Sequence, residues 1–288
     1  EGIMEFIIDK DYDDTRIDKF LRKQLEQLPL GEIFKLFRKG DVKINGKKAK
    51  ENQRIFEGDK IFIYLKMNIE KKEEAFIKLT KEEIDFIEEN IKFQDEEMIV
   101  FYKNSGMVMH KGSGFDYGIS EMLKSYYKNP NFTFVNRIDK ETSGLVLGSK
   151  NLPKTRELTE KIRDRDISKS YYVLVKGNTP AKFVVKNKLK DNGERVVLDK
   201  DGKDAVTYFE KLDYNDGISL LKAELETGRK HQIRVQLASK NYPIIGDYKY
   251  GIKTGKEMFL NSYKIAFDEF SYENDIPISF LEKLGKSK

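Results

Sequence analysis

The stretch VNRIDKETSGLVLGSK, Val135 to Lys150, organises the reading of this chain. An apolar segment runs into Asn-Arg-Ile-Asp. A short run of Lys, Glu, Thr and Ser follows, then Gly144 and a second apolar segment, LVL. The pattern predicts a strand, a tight turn and a second strand, with Asp139 displayed where the first strand ends. An aspartate in a turn is ordinarily a turn former or a cap. The stretch alone therefore leaves a displayed, reactive carboxylate and a structural one both open.

Outward from this point the chain is rich in strand signals. MIVFYK, FTFVNRI, GLVLGSK, SYYVLVKG, FVVKNKL, AVTYFEKL, ISLLKAELE and HQIRVQL all read as strands, with a helix over Leu152–Arg165 and another over Lys81–Ile91. Many strands with few helices predict an α+β domain over 81–288, built on a mixed or antiparallel sheet. Residues 66–80, MNIEKKEEAFIKLTK, are charge-rich and aperiodic and read as a linker. Residues 5–65 read as a small α+β module. EFIID opens as a strand, and Asp14 or Thr15 is placed to cap a helix carrying Ile17, Phe20, Leu21 and Leu25. A second helix carries Ile33, Leu36 and Phe37 and ends at Gly40; a strand with an Asn45-Gly46 turn follows, and GDKIFIYL closes the module.

Composition narrows the function. With 288 residues the chain has room for about two domains. It has no cysteine and two histidines, which excludes disulfides, thiolate nucleophiles and cysteine-held zinc or iron–sulfur centres. A His-rich metal site is not expected, and neither is any cofactor. Apolar runs fall short of the roughly 18–20 residues a membrane helix needs, and EGIMEF lacks a signal-peptide layout. The expected location is the cytoplasm and the default oligomeric state a monomer. The net charge of +5 suits a polyanionic partner. Charge also concentrates locally: Lys35, Arg38, Lys39, Lys43, Lys47, Lys48 and Lys50 are opposed only by Asp41 over that span. SGLVLGSK ends superficially like a P-loop but lacks its glycine spacing.

Two resemblances sharpen these readings. Thr15 to Leu65 resembles the RNA-binding domain named after ribosomal small-subunit protein S-four, with Arg16, Asp18, Phe20, Leu21, Arg38, Gly40, Val42, Asn45, Gly46, Gly58 and Asp59 in register. The resemblance implies RNA contacts from Arg16, Arg38, Lys39, Lys43, Asn45, Lys47 and Lys48. A helix end and a tight turn rich in Lys and Arg offer donors to phosphates, although on charge alone such a run is usually a solvated face.

The remainder resembles the RluA-type family of rRNA pseudouridine synthases, whose signature reads H-R-L-D-x-x-T-S-G-L-x-x-x-x-K. Arg137, Asp139, Thr142, Ser143, Gly144, Leu145 and Lys150 match it, while Asn136 stands where the family has His. Val100–Gly114 resembles V-x-x-K-P-x-G-x-x-x-H through Lys103, Gly106 and His110, with Asn104 in place of Pro. Lys169–Gly177 resembles K-x-Y-x-A-x-V-x-G and places the family's active-site tyrosine at Tyr171, although Tyr172 beside it faces the other way and either could be core. Glu226–Gly251 resembles x-T-G-R-x-H-Q-I-R-V-H followed by P-x-x-G-D-x-x-Y-G. It places the active-site arginine at Arg234, with Gln236 in place of the last His.

What these motifs imply is isomerisation of uridine to pseudouridine in structured RNA, with 23S rRNA favoured and tRNA as the other substrate class. Asp139 is then the essential carboxylate, acting on the sugar or on the base. A buried carboxyl keeps its proton unless a cation sits close, and Arg234 is the candidate cation. Tyr171 would stack on the base or move a proton. Arg137 would fill the gap left by a flipped base, and Arg229 would contact RNA. His231 is expected to order its strand and His110 to be structural or an RNA contact. Gly228, Gly246 and Asp247 read as turn residues that place Arg234 and the substrate floor. Two other classes remain: an RNA-binding protein without activity, suggested by Asn136 and Gln236, and a sugar hydrolase, which would need a second carboxylate such as Glu141 across the substrate.

Overall fold

The computed structural model describes residues 2–65, 76–112 and 117–286. Two compact units emerge, one of Glu1–Phe76 with Asn151–Pro153 and one of Ile77–Lys150 with Lys154–Lys288. Most of the 66–80 stretch read as a linker lies outside the described residues. Its described end does not read as linker: Ile77 and Leu79 pack against the core of the second unit.

The first unit is a four-stranded antiparallel sheet, in the order Gly2–Ile7, Lys60–Leu65, Val42–Ile44, Lys47–Lys48, covered by helices Ile17–Gln24 and Leu30–Lys39. Ile17, Leu21 and Leu25 on the first helix and Ile33 and Phe37 on the second pack with Val42, Ile61 and Ile63, as their spacing predicts. The first helix is not capped by Asp14 or Thr15. Its N-cap is Arg16, without a side-chain cap bond. The first turn instead carries the buried Asp18, which accepts from Arg16 Nε at 3.0 Å and Arg22 Nη2 at 3.3 Å. Asn45 and Gly46 both have positive φ, at 48° and 81°, as a two-residue hairpin between Ile44 and Lys47 requires.

The second unit is organised by an 11-stranded sheet. Its path runs Val196–Leu198, Lys182–Asp191, Lys203–Asn215, Ile218–Leu225, Ser168–Lys176, Leu260–Phe267, Ser143–Ser149, Met98–Lys103, Ile91–Gln94. The pairings are antiparallel except one, where Ser143–Ser149 meets Leu260–Phe267 in parallel through Ser143↔Asn261 and Gly144↔Ser262. The mixed sheet of an α+β fold is thus observed. The parallel seam is tight. Gly144 has φ of +115°, and a Cβ there would stand 2.2 Å from the Ser262 carbonyl oxygen, so only glycine fits. Asn261 Nδ2 ties the seam by donating to Ser143 Oγ and Tyr102 Oη at 2.9 and 3.0 Å.

Helices Lys81–Asn90 and Leu152–Arg163 form where the sequence predicts them. HQIRVQL does not form a strand: Gln232–Ser239 is a helix, entered from His231 in the left-handed region at φ 52°. Its polar residues alternate with Ile233, Val235 and Leu237, which mimics a half-buried strand. Here, however, Gln232, Arg234 and Gln236 are buried as deeply as their apolar neighbours. Gln236 Nε2 donates to Val185 and Ala205 carbonyls and to Asn187 Oδ1, and its Oε1 accepts from Thr207. Helix Ile119–Tyr127, unread in the sequence, packs Ile119, Met122 and Leu123 inward. FTFVNRI keeps strand pairing only at Thr133–Phe134. Beyond it the ladder is carried by Val135 N–H to the Leu147 carbonyl and by the Asn136 side chain, whose Oδ1 accepts from Leu147 N–H at 2.7 Å. No helix of the described residues is long and apolar enough to cross a membrane.

Candidate active site

Register across the sheet assembles the site. Gly144 pairs Ser262, Ser262 pairs Tyr171 and Tyr171 pairs Ala223, so one row crosses the seam. A register shift between Ser170 and Tyr171 bends the strand at this point, as bulges beside functional sites do. Strand alternation sends the two tyrosines to opposite faces. Tyr171 turns into a cavity and is 7% exposed, whereas Tyr172 lies on the other face, stacked on Tyr263 with ring centroids 3.8 Å apart. Burial, and then the charge of Asp139, push the Tyr171 hydroxyl above its ordinary pKa, so it enters the site protonated.

The turn before the seam carries Asp139, and its backbone is pinned by its neighbours. Lys103, fully buried, donates through Nζ to the carbonyls of Asn104, Met107 and Lys140, each at 2.9 Å. Gly106 N–H also reaches the Lys140 carbonyl, and Ser105 Oγ reaches that of Glu141. Thr142 N–H closes the turn on the Asp139 carbonyl. Burial lowers the Lys103 pKa to about 7, against the opposing pull of Glu141 and Asp139. The matching Lys, Gly and Asp of separate motifs therefore build one loop.

The Asp139 side chain meets helix Gln232–Ser239. Arg234 Nη1 donates to Asp139 Oδ2 at 2.9 Å. The remaining edge of the guanidinium is held by Asp247, with Nε to Oδ2 at 2.9 Å and Nη2 to Oδ1 at 2.8 Å. Asp247 is fully buried, and its Oδ1 also accepts from the N–H groups of Lys249 and Tyr250. Burial opposes the charge on each partner, but the pair outweighs it: Arg234 is held above its ordinary pKa and Asp247 below. Arg234 is thus a fixed cation between a buried carboxylate and a displayed one.

His231 lies alongside, with Nε2 3.7 Å from Asp139 Oδ1, beyond hydrogen-bond length. Its Nδ1 is 2.8 Å from Tyr250 Oη, and that oxygen accepts from Val196 N–H at 2.9 Å. The Val196 N–H and the His231 ring thus meet on the one Tyr250 hydroxyl. Burial, with help from Arg234, lowers the His231 pKa and keeps the ring neutral near pH 7. His231 therefore orders a helix start and not a strand.

Asp139, Tyr171, Arg234, Arg137, Arg229, His110 and His231 all line one cavity of about 890 Å³, within the usual range for ligand sites. Among the described residues, seven Lys and Arg side chains line it against a single carboxylate, Asp139. Arg137 is exposed at its edge, and Arg229 is half-buried with Nε on the Asp204 carbonyl at 3.0 Å. Asn136 lines the wall and meets Leu147 N–H through an oxygen, which accounts for a non-titrating residue there. Glu141 does not line the cavity, which leaves the two-carboxylate arrangement of a sugar hydrolase without its second member.

In the first unit, Arg38, Lys39, Lys47 and Lys48 are exposed, Lys48 lying across Gly40. Lys43 sits over the Tyr64 ring at 5.0 Å and Arg16 on Asp18. Asn45 is engaged at both ends of its amide, by Asp59 Oδ1 and Lys60 N–H, and so serves the turn. Three residues escaped the sequence reading: Tyr250, Lys103 as the anchor of the Asp139 loop, and Lys169. The last stands two residues before Tyr171, the spacing that puts two strand residues on one face.

Comparison with known proteins follows the same lines. The sequence model of a family described as RNA pseudouridylate synthase matches residues 97–239. Ribosomal large subunit pseudouridine synthase C of Vibrio parahaemolyticus is 34% identical over 96% of this chain and 94% of its own. The protein of the same name from Buchnera aphidicola is 35% identical over 87% and 81% respectively. Among solved structures, human RNA Pseudouridylate Synthase Domain Containing 4 superposes with a TM-score of 0.60 at 20% identity, covering 70% of this chain and 95% of that one, a likeness of fold.

Proposed function

The chain belongs to the RNA pseudouridylate synthase family, and we propose that it isomerises specific uridines of 23S rRNA with Asp139 as the essential carboxylate. The observation that carries this reading is the one displayed carboxylate in a basic cavity, clamped by an arginine that a second, buried carboxylate holds in place.

The reaction breaks the C1′–N1 bond and forms C1′–C5 within the same nucleotide. The C5 proton leaves and N1 gains one. No atom is added and no oxidation state changes, so side chains of these types suffice. Asp139, reached from the cavity, attacks C1′ or C6, or supports the oxocarbenium-like charge as the bond breaks. Arg234 orients the carboxylate through Oδ2 and leaves Oδ1 toward the substrate. Tyr171, protonated and buried, offers its ring to the base and its hydroxyl to proton transfer. A uridine in folded RNA reaches this depth only by leaving its stack, which costs a few kcal/mol. Arg137 at the cavity edge is placed to occupy the gap. The first unit, with Arg38, Lys39, Lys47 and Lys48 exposed, positions RNA through phosphates. The protein acts as a monomer in the cytoplasm, where its substrate is made.

The test is to incubate the protein with unmodified 23S rRNA transcript and with immature ribosomal particles, and to map pseudouridine chemically beside Asp139→Asn. Discrete sites that vanish with the variant are expected. Modification of tRNA alone would move the substrate assignment, and equal product from Asp139→Asn would remove Asp139 from the mechanism.

A further inference from the structure

Among the described residues, Lys169 is the one basic side chain of the cavity that is both half-buried and uncommitted through its ammonium. Arg234 is taken by Asp139 and Asp247, Lys230 by Asp191, and Arg229 Nε by a backbone carbonyl. Lys169 makes no hydrogen bond or ion pair among the described residues, and only burial acts on its pKa, which it lowers. The residue shares the cavity wall with Tyr171. Its ammonium lies beside exposed Gly228, where a Cβ would stand 3.6 Å from Nζ, an ordinary contact.

A half-buried cation without a partner, lining a cavity, is a place where an anion can arrive. We propose that Lys169 forms a phosphate subsite inside the cavity, binding a non-bridging oxygen of a phosphodiester that flanks the target nucleotide. The inference rests on the functional reading above. Charge selects the ligand: the bases of RNA are neutral, and its backbone is the only anion it brings. Depth selects the phosphate. Exposed Arg137 can meet the strand outside, whereas Lys169, beside Tyr171, is reached only by the backbone of the nucleotide that enters. A flipped nucleotide drags its own phosphates inward, so this contact is made after flipping and not in the first encounter.

The experiment is a cycle between protein and substrate. Lys169→Met and Lys169→Arg are compared with the wild type on a short stem-loop carrying the target uridine, in which each flanking phosphate in turn is made a neutral methylphosphonate. Affinity and turnover are both read. With the wild type, one methylphosphonate is expected to weaken Kd and KM on the order of tenfold, the value of a charge-assisted hydrogen bond. With Lys169→Met the natural RNA binds equally weakly, and the methylphosphonate makes no further difference. Lys169→Arg recovers most of the loss.

Melting of Lys169→Met should match or exceed the wild type, because an uncompensated buried charge is gone; a structural lysine would show a fall. If the methylphosphonate penalty is the same in wild type and Lys169→Met, the proposal is overturned. It is equally overturned if neither methylphosphonate matters and Lys169→Met still loses affinity, which would put a uracil carbonyl on Lys169. Should the wild type bind RNA but form no pseudouridine, the functional reading fails while the binding cycle still decides the subsite.

Discussion

Replacing Asp247 by Asn tests the logic of the site from outside the chemistry. Asp247 Oδ2 faces Arg234 Nε at 2.9 Å, while Oδ1 accepts from Arg234 Nη2 and two backbone N–H groups. An asparagine keeps the oxygen that serves three donors. At the other position it sets an NH₂ against the Arg234 Nε–H and leaves the buried guanidinium short of a countercharge. Breaking one partner of a buried pair costs about 3–5 kcal/mol. At roughly 2–4 °C per kcal/mol for a domain of this size, melting should fall by about 10 °C.

The arginine would also lose its aim at Asp139. A displacement near 1 Å is enough for about 10²-fold in rate. Tritium release from C5-labelled uridine in RNA and a thermal melt read both effects. The Asp247 carboxyl is held below its ordinary value, so it adds stability above the unfolded pKa and loses it as pH falls through the folded one. Asp247→Asn should therefore lack that part of the wild-type fall below about pH 4. Removing both charges, in Arg234→Met with Asp247→Asn, should restore much of the stability and none of the activity. Wild-type melting and turnover in Asp247→Asn would refute the reasoning.

Three further outcomes are expected. Lys103→Met abandons three buried carbonyls and should cost at least about 3 kcal/mol near neutral pH, at about 1–3 kcal/mol for each lost bond, in urea titrations. Because burial lowers Lys103 to about 7, the wild type gains stability as pH rises from there toward 10.5. Lys169 contributes with the same sign in both proteins, so the difference between wild type and Lys103→Met isolates Lys103; a constant difference over that range would contradict the assignment. Gly144→Ala drives a Cβ to 2.2 Å from a carbonyl oxygen and should yield unfolded protein or a loss of more than about 3 kcal/mol, seen by circular dichroism. Removing the first unit, residues 1–65, should weaken RNA binding and flatten its dependence on salt, because phosphate contacts go with it; an unchanged slope would take that unit off the RNA.

Asp139, Tyr171 and Arg234 were legible through the resemblance of four ordered motifs and not from their surroundings: alone, Asp139 reads as a turn former, and Tyr171 cannot be told from Tyr172. What escaped notice did so for a physical reason. Hydropathy treats polar residues as exposed, so the buried run from Gln232 to Gln236 imitates a strand when its side chains are in fact satisfied inside the protein. A lysine reads as surface, and nothing local reveals that Lys103 spends its three donors on backbone carbonyls. Which of Tyr171 and Tyr172 faces the cavity depends on distant segments such as Ile233, Arg234 and Leu260, which share its wall and which no window along the chain contains.

The parallel seam has a consequence for how the protein comes into being. Ser143 is joined to Asn261 across 118 positions, and the row that carries Tyr171 beside Asp139 closes only when Leu260–Phe267 docks between two strands already made. Contacts of such span are formed late, since the chain between must be ordered first. During synthesis the cavity therefore stays open and inert until the strand that completes it has left the ribosome.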